Sequence, residues 1–173
     1  MRILFFSTGW TIALCFIIWP IIQLTAALIC LKMPNRMFSL QSILFKTYKI
    51  EREGHFYNNV FCVSEWKHLL PDGGVIFNKN SFRKKHLKDF SKETLERFLI
   101  ESARAELTHW LAIIPFWIFG FIAPPRVILY MLMYALMVNL PCIIVQRYNR
   151  PRVQKLLNKI KEVESVQSNI NKR

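Results

Sequence analysis

WLAIIPFWIFGFIAPPRVILYMLMYALMVNLPCIIVQ, residues 110–146, carries one formal charge, Arg126, directly after Pro124 and Pro125. A double proline cannot continue a helix, because each ring lacks the backbone N–H and clashes with the preceding turn. The stretch therefore reads as two apolar runs, Trp110–Pro125 and Val127–Gln146, folded into a transmembrane helical hairpin with a very tight turn.

A third run lies upstream. Between Arg2 and Lys32 there are 29 residues without a formal charge. As a helix they would span roughly 43 Å, enough to cross a hydrocarbon core of about 30 Å with tilt. Pro20 and the amide of Gln23 interrupt it, and neighbouring helices accommodate both. The alternative is a cleaved secretory signal. Against it, the apolar stretch is about twice the usual signal core and Arg2 is its only leading charge. Ala27-Leu28-Ile29-Cys30 resembles a lipoprotein cleavage site, except that Ile29 is too large for the small-residue position. Residues 1–31 are thus expected to stay as an N-terminal transmembrane helix, with a signal-like segment as the other reading.

Charge sets the orientation. Of 24 Lys and Arg, 14 lie between Lys32 and His109 and 8 between Arg147 and Arg173. Basic loops remain in the cytoplasm, so the N-terminus and the Pro124-Pro125 turn should face outward and the C-terminus inward. Topology and attraction to anionic lipid account for most of the net charge of +13. Nucleic-acid binding is set aside, since no nucleic-acid module is visible and the basic residues flank membrane runs. Cys15, Cys30, Cys62 and Cys142 have neither metal-ligand spacing nor a disulfide pattern. No metal site is expected.

The expected fold is an all-α membrane protein in four parts: the first helix, a cytoplasmic or interfacial helical region over 32–109, the hairpin over 110–146 and a basic amphipathic tail over 147–173. Within the second part, Phe56, Val60, Val63 and Leu70, flanked by Tyr57, Phe61 and Trp66, recur at near-helical spacing until Pro71-Asp72-Gly73-Gly74. That pattern predicts an interfacial helix from His55 to Leu70. The cluster Arg83-Lys84-Lys85-His86-Leu87-Lys88 follows, a lipid-contacting or solvated face, with phosphate binding as the alternative. Ser91 can then cap a helix bearing Leu95, Phe98, Leu99 and Leu107 on one face and continuing through His109 into the membrane. After the hairpin, Asn149 or Arg150 is expected to cap a last helix with Pro151 in its first turn. Its Val153, Leu156, Leu157, Ile160 and Val163 should rest on the inner leaflet.

Glu106 and His109 sit where charged chain gives way to apolar chain. Three-residue spacing on a helix puts the carboxylate and the imidazole on one face. A neutral imidazole can take a proton from a sugar hydroxyl, and a carboxylate can fix its tautomer. Arg147, Arg150 and Arg152, at the exit of the third run, either anchor a helix at phosphate headgroups or hold a substrate phosphate or carboxylate. A zinc-hydrolase His-Glu-x-x-His, a Gly-x-Ser-x-Gly elbow and a His-x4-Asp signature are all absent.

Three segments carry a resemblance: Trp66-Lys67-His68-Leu69-Leu70-Pro71-Asp72-Gly73, Arg104-Ala105-Glu106-Leu107-Thr108-His109-Trp110 and Gln146-Arg147-Tyr148-Asn149-Arg150-Pro151-Arg152. In order and spacing they resemble the glycosyl-4,4'-diaponeurosporenoate acyltransferases of staphyloxanthin-type carotenoid synthesis. The resemblance implies a bacterial cell-membrane enzyme that transfers a long fatty acyl chain to the glucose of a glycosylated C30 carotenoid, the final step of that pigment's synthesis. It further implies acyl-CoA or acyl carrier protein as thioester co-substrate, without a cofactor. From chemistry and position, His109 is the expected general base and Glu106 its orienting partner. Arg147, Arg150, Asn149, Lys67, Asp72 and Trp110 are expected to shape donor or sugar binding. Two other readings stay open: an acyltransferase acting on another glycolipid, and a non-catalytic membrane scaffold holding other carotenoid-pathway enzymes together.

Overall fold

In a computed structural model of the chain, the structure describes residues 3–70 and 91–170. Asp72, the Pro71–Gly74 stop signal and the basic cluster at 83–88 lie outside the described residues. Every regular element among those described is helical: α1 (Thr8–Lys32), α2 (His55–Phe61), α3 (Val63–Trp66), α4 (Lys92–Ile113) and α5 (Pro125–Ile170), joined by short 3-10 segments. They form two compact units, one of residues 1–34 and 104–143, the other of 35–103 and 144–173.

The first unit is built on one stripe of α1. Trp19, Ile22, Ala26 and Cys30 recur at three- and four-residue steps and are buried, whereas Phe16, Ile17, Ile21, Leu24 and Leu28 are exposed. Trp19 stacks on Phe119 at 6.1 Å between ring centroids and meets the edge of Tyr134 at 5.1 Å. Ile113, Ile122, Ala123, Ala135 and Ile143 complete this core. Both α1 and α5 are long and apolar enough to cross a membrane, yet only 17% of each apolar window is buried. A core helix of a soluble protein would be mostly covered, so the two helices fit a membrane-associated protein.

The turn falls where the prolines put it. Pro125 is the first residue of α5, and Val127 N–H bonds back to the Pro124 carbonyl. Ile3 and Leu4 both donate to the Phe121 carbonyl, so the N-terminal segment lies beside the turn. The first arm of the hairpin differs from expectation. Its α-helix stops at Ile113 and a 3-10 segment, Ile114–Phe121, completes it. Pro115 is the physical reason, since it cannot donate to the carbonyl four residues back and its ring crowds that carbonyl.

In the second unit, Leu95 and Leu99 of α4 pack on Leu157 of α5, with Leu40, Val153, Leu156 and Ile160 around them. Lys92–Glu164 at 3.2 Å and Glu96–Lys161 at 2.8 Å run alongside, so these parts of the two helices are antiparallel. The tail is therefore not a separate helix. α5 continues unbroken through Pro151, neither Asn149 nor Arg150 caps anything, and Val153, Leu156, Leu157 and Ile160 of the tail stripe pack with α4 while Val163 is exposed. Tertiary burial at Tyr148, Arg150 and Leu157 outweighs the backbone donor that Pro151 removes.

The expected interfacial helix is also broken. Cys62, at φ 48°, separates α2 from α3, and a 3-10 turn, Lys67–Leu69, follows. Side chains close the break: Asn58 Oδ1 accepts from Ser64 N–H at 2.9 Å, and the Trp66 indole donates to the Phe61 carbonyl at 2.6 Å. The helix from Ser91 onward is as expected, with Ser91 Oγ accepting from Thr94 N–H and α4 running past His109.

Candidate active site

α4 carries Glu106 and His109 one turn apart on one face, with Glu106 only 1% exposed and His109 half-buried. Trp110 follows with 39% exposure, turned away from that buried face. The imidazole Nδ1 lies 2.9 Å from Asn139 Oδ1. Asn139, fully buried on α5, donates its Nδ2 to the Ala135 carbonyl at 2.9 Å, and Gln23 Nε2 of α1 donates to the same Oδ1 at 3.3 Å.

These contacts fix the tautomer of the neutral ring. The Asn139 amide cannot turn over without setting its oxygen against the Ala135 carbonyl, so the atom facing His109 is an acceptor. Nδ1 therefore carries a proton, and in the neutral imidazole the lone pair is at Nε2. Asn139 is the partner of Nδ1, and Glu106 lies one turn back on the same helix. Three helices thus meet at one polar point, where an unmade buried hydrogen bond would cost about 1–3 kcal/mol.

The remaining candidates belong to the second unit. Arg147 donates to Glu51 Oε1 at 3.2 Å, to the Lys46 carbonyl at 3.3 Å and to the Leu44 carbonyl. Glu51, 4% exposed, also accepts from the Tyr57 hydroxyl at 2.6 Å and from Tyr48 N–H at 2.8 Å. Arg150, 2% exposed, donates to the Phe45 carbonyl at 3.1 Å. Both arginines therefore fasten the 42–51 segment to α5, and Asn149 is half-buried between them.

Lys67 stands with its ammonium 4.9 Å from the centre of the Tyr148 ring, and the Arg152 guanidinium is 3.9 Å from the same centre. Burial, and then the charge of Arg152, hold the Lys67 ammonium below its usual pKa. Beside them, residue 54 lies against the Tyr148 backbone and is glycine, at φ +89°. A Cβ there would sit 2.6 Å from the Tyr148 carbonyl oxygen.

Asn139, Gln23, Glu51 and Tyr148 were not among the site residues expected from sequence. A signal existed for two of them. Gln23 and Asn139 are lone amides inside apolar runs, where an unpaired amide is costly and a partner on another helix is the rule. Among the described residues no group of three His, Cys, Asp or Glu could hold a metal ion.

Comparison with known proteins gives a consistent picture. The profile of a family described as glycosyl-4,4'-diaponeurosporenoate acyltransferase matches residues 41–159. Proteins of that name from Staphylococcus aureus strains MRSA252 and Newman are each 40% identical to the chain over 148 residues, 85% of this chain and 88% of theirs. No solved structure matches.

Proposed function

The chain belongs to the glycosyl-4,4'-diaponeurosporenoate acyltransferase family and is an acyltransferase, and from that premise we propose that it esterifies the glucose of a membrane-embedded glycosylated C30 carotenoid with a fatty acyl chain. The observation that carries the reading within this chain is the His109–Asn139 pair at 2.9 Å. Nε2 takes the proton of a sugar hydroxyl as that oxygen attacks the thioester carbonyl. The tetrahedral intermediate collapses, the C–S bond breaks, and the thiolate leaves with the proton from Nε2. Ester and free thiol are the products, and the base is regenerated.

Asn139 holds the imidazole while it is charged and thereby acts as a positioning residue. Glu106, one turn back on the same face of α4, is proposed to stabilise the imidazolium electrostatically. Trp110 is proposed to border the lipid-soluble acceptor. Arg147 and Arg150 serve substrate through the segment they hold against α5, and Asn149 and Asp72 are proposed to shape donor or sugar binding.

The depth of the site fits a multi-pass protein of the cell membrane with the N-terminus and the turn outside and the tail inside. The excess of Lys and Arg in 32–109 and 147–173 supports that orientation. The 3-10 segment, whose eight residues rise about 2.0 Å each instead of 1.5, lengthens the shorter arm toward the span of a bilayer and supports the multi-pass reading. Exposed Ile43, Leu44, Ile50, Val60 and Leu69 in the second unit are suited to the headgroup boundary. The co-substrate is an acyl thioester on coenzyme A or a carrier protein, without a cofactor.

The test is expression of the chain in a bacterium that makes the glycosylated carotenoid, with mass spectrometry of the extracted pigments. The expected gain is one acyl unit per pigment. A host whose glycosylated pigment is unchanged while the protein accumulates in the membrane would remove the assignment of acceptor.

A further inference from the structure

Among the described residues, Lys67 and Arg152 of the second unit converge on one aromatic ring without a counter-charge. Glu51 is engaged by Arg147, Glu53 by Lys155 at 2.6 Å, Glu96 by Lys161 and Glu164 by Lys92. Among the described residues no carboxylate reaches Lys67 or Arg152. Arg152 spends Nη1 on the Tyr148 hydroxyl, and its Nε and Nη2 donors have no protein acceptor among the described residues. Gly54 packs beside that guanidinium, where a Cβ would stand 3.5 Å from Arg152 Nε.

We infer that Lys67 and Arg152, on the Tyr148 ring, form a binding site for a phosphate group. A guanidinium fork accepts two phosphate oxygens at once and an ammonium supplies a point charge beside it, whereas a neutral ligand would leave both charges opposed. Burial, and then the charge of Arg152, disfavour the Lys67 ammonium, and a bound phosphate offsets the second of these. The Tyr148 ring, itself 2% exposed, fixes the position of both cations, so the site is in place before the ligand arrives. Two sources present this chemistry: the phosphates of a coenzyme A or phosphopantetheine thioester, and the headgroup of an anionic lipid. The acyltransferase reading bears on which phosphate is bound, not on whether one is.

The experiment measures binding rather than acyl transfer, so its failure leaves the role of His109 untouched. Full-length protein in neutral detergent is titrated calorimetrically with coenzyme A. In a second arm, protein from nanodiscs containing phosphatidylglycerol or phosphatidylcholine is analysed for retained lipid by native mass spectrometry. Arg152→Gln and Lys67→Gln should each weaken coenzyme A roughly tenfold or more, the worth of one charge-assisted contact. Arg152→Lys and Lys67→Arg should recover most of it, and Lys92→Gln should leave it unchanged. If coenzyme A does not bind but phosphatidylglycerol retention falls in the same two variants, the site stands and its ligand is the headgroup. Should Arg152→Gln fail to fold by circular dichroism, Lys67→Gln on the Lys67–Leu69 turn carries the test. Probes that bind wild type and folded variants alike, or bind neither, overturn the assignment.

Discussion

Asn139→Leu removes an acceptor while keeping an apolar side chain of similar size in a fully buried position. His109 Nδ1–H at 2.9 Å and the Gln23 amide at 3.3 Å both lose their partner. Each orphaned donor costs about 1–3 kcal/mol of stability if it stays dry. The kinetic effect is larger in consequence, because the imidazole is charged in the transition state. A charge-assisted hydrogen bond worth about 1.5–3 kcal/mol corresponds to a fall in kcat of roughly 10- to 150-fold, with KM little changed. The acid limb of the kcat/KM profile should also move down in pH, since the imidazolium has lost the group that stabilised it. Asn139→Asp keeps an acceptor and adds a negative charge; it should retain more activity than Asn139→Leu and move the acid limb up. The assay is single-turnover transfer from a labelled thioester by detergent-solubilised protein across a pH series. A folded Asn139→Leu variant within twofold of wild type, with its acid limb unmoved, would refute the positioning role.

Three further perturbations concern the second unit. Gly54→Ala forces an L side chain to φ +89° and drives its Cβ to 2.6 Å from the Tyr148 carbonyl, so a loss of about 2 kcal/mol or more in thermal or denaturant stability is expected; a melting temperature equal to wild type contradicts it. Glu51→Ala strips Arg147, Tyr48 and Tyr57 of a shared acceptor and should cost about 3–5 kcal/mol, reduced by the carbonyls Arg147 keeps, with faster proteolysis at 43–57 as the readout. The Glu53 and Glu96 carboxyls are held below their usual pKa by hydrogen bonds from Lys155 and Lys161. Their contribution is present above the unfolded carboxylate pKa of about 4.3 and is lost as pH falls through the lower folded values. Lys161→Gln should therefore flatten the acid side of the stability profile.

Periodicity made α4 and the hairpin turn legible, because Ser91, the Leu95-Phe98-Leu99 stripe and Pro124-Pro125 act locally. It failed at Cys62, where Asn58 and Trp66 close a break through side chains that an apolar pattern does not weigh. It failed again at Pro151, where burial of Tyr148 and Arg150 decides in favour of a continuous helix. At the site, three-residue spacing brought His109 and Glu106 forward, but the partner of Nδ1 lies 30 residues along the chain. Only the oddity of a lone amide in an apolar run pointed to it. Arg147 and Arg150 stood out as cations at the end of a membrane run, and spacing could not say that their acceptors include carbonyls of the 44–46 segment and the Glu51 carboxylate.

The most direct test of the acyltransferase account is pigment mass spectrometry after replacing His109 by Ala, with the protein quantified in the same membranes. The account predicts wild-type levels of protein, accumulation of the glycosylated pigment and loss of the species one acyl unit heavier. Undiminished acylated pigment at matched protein level would contradict it.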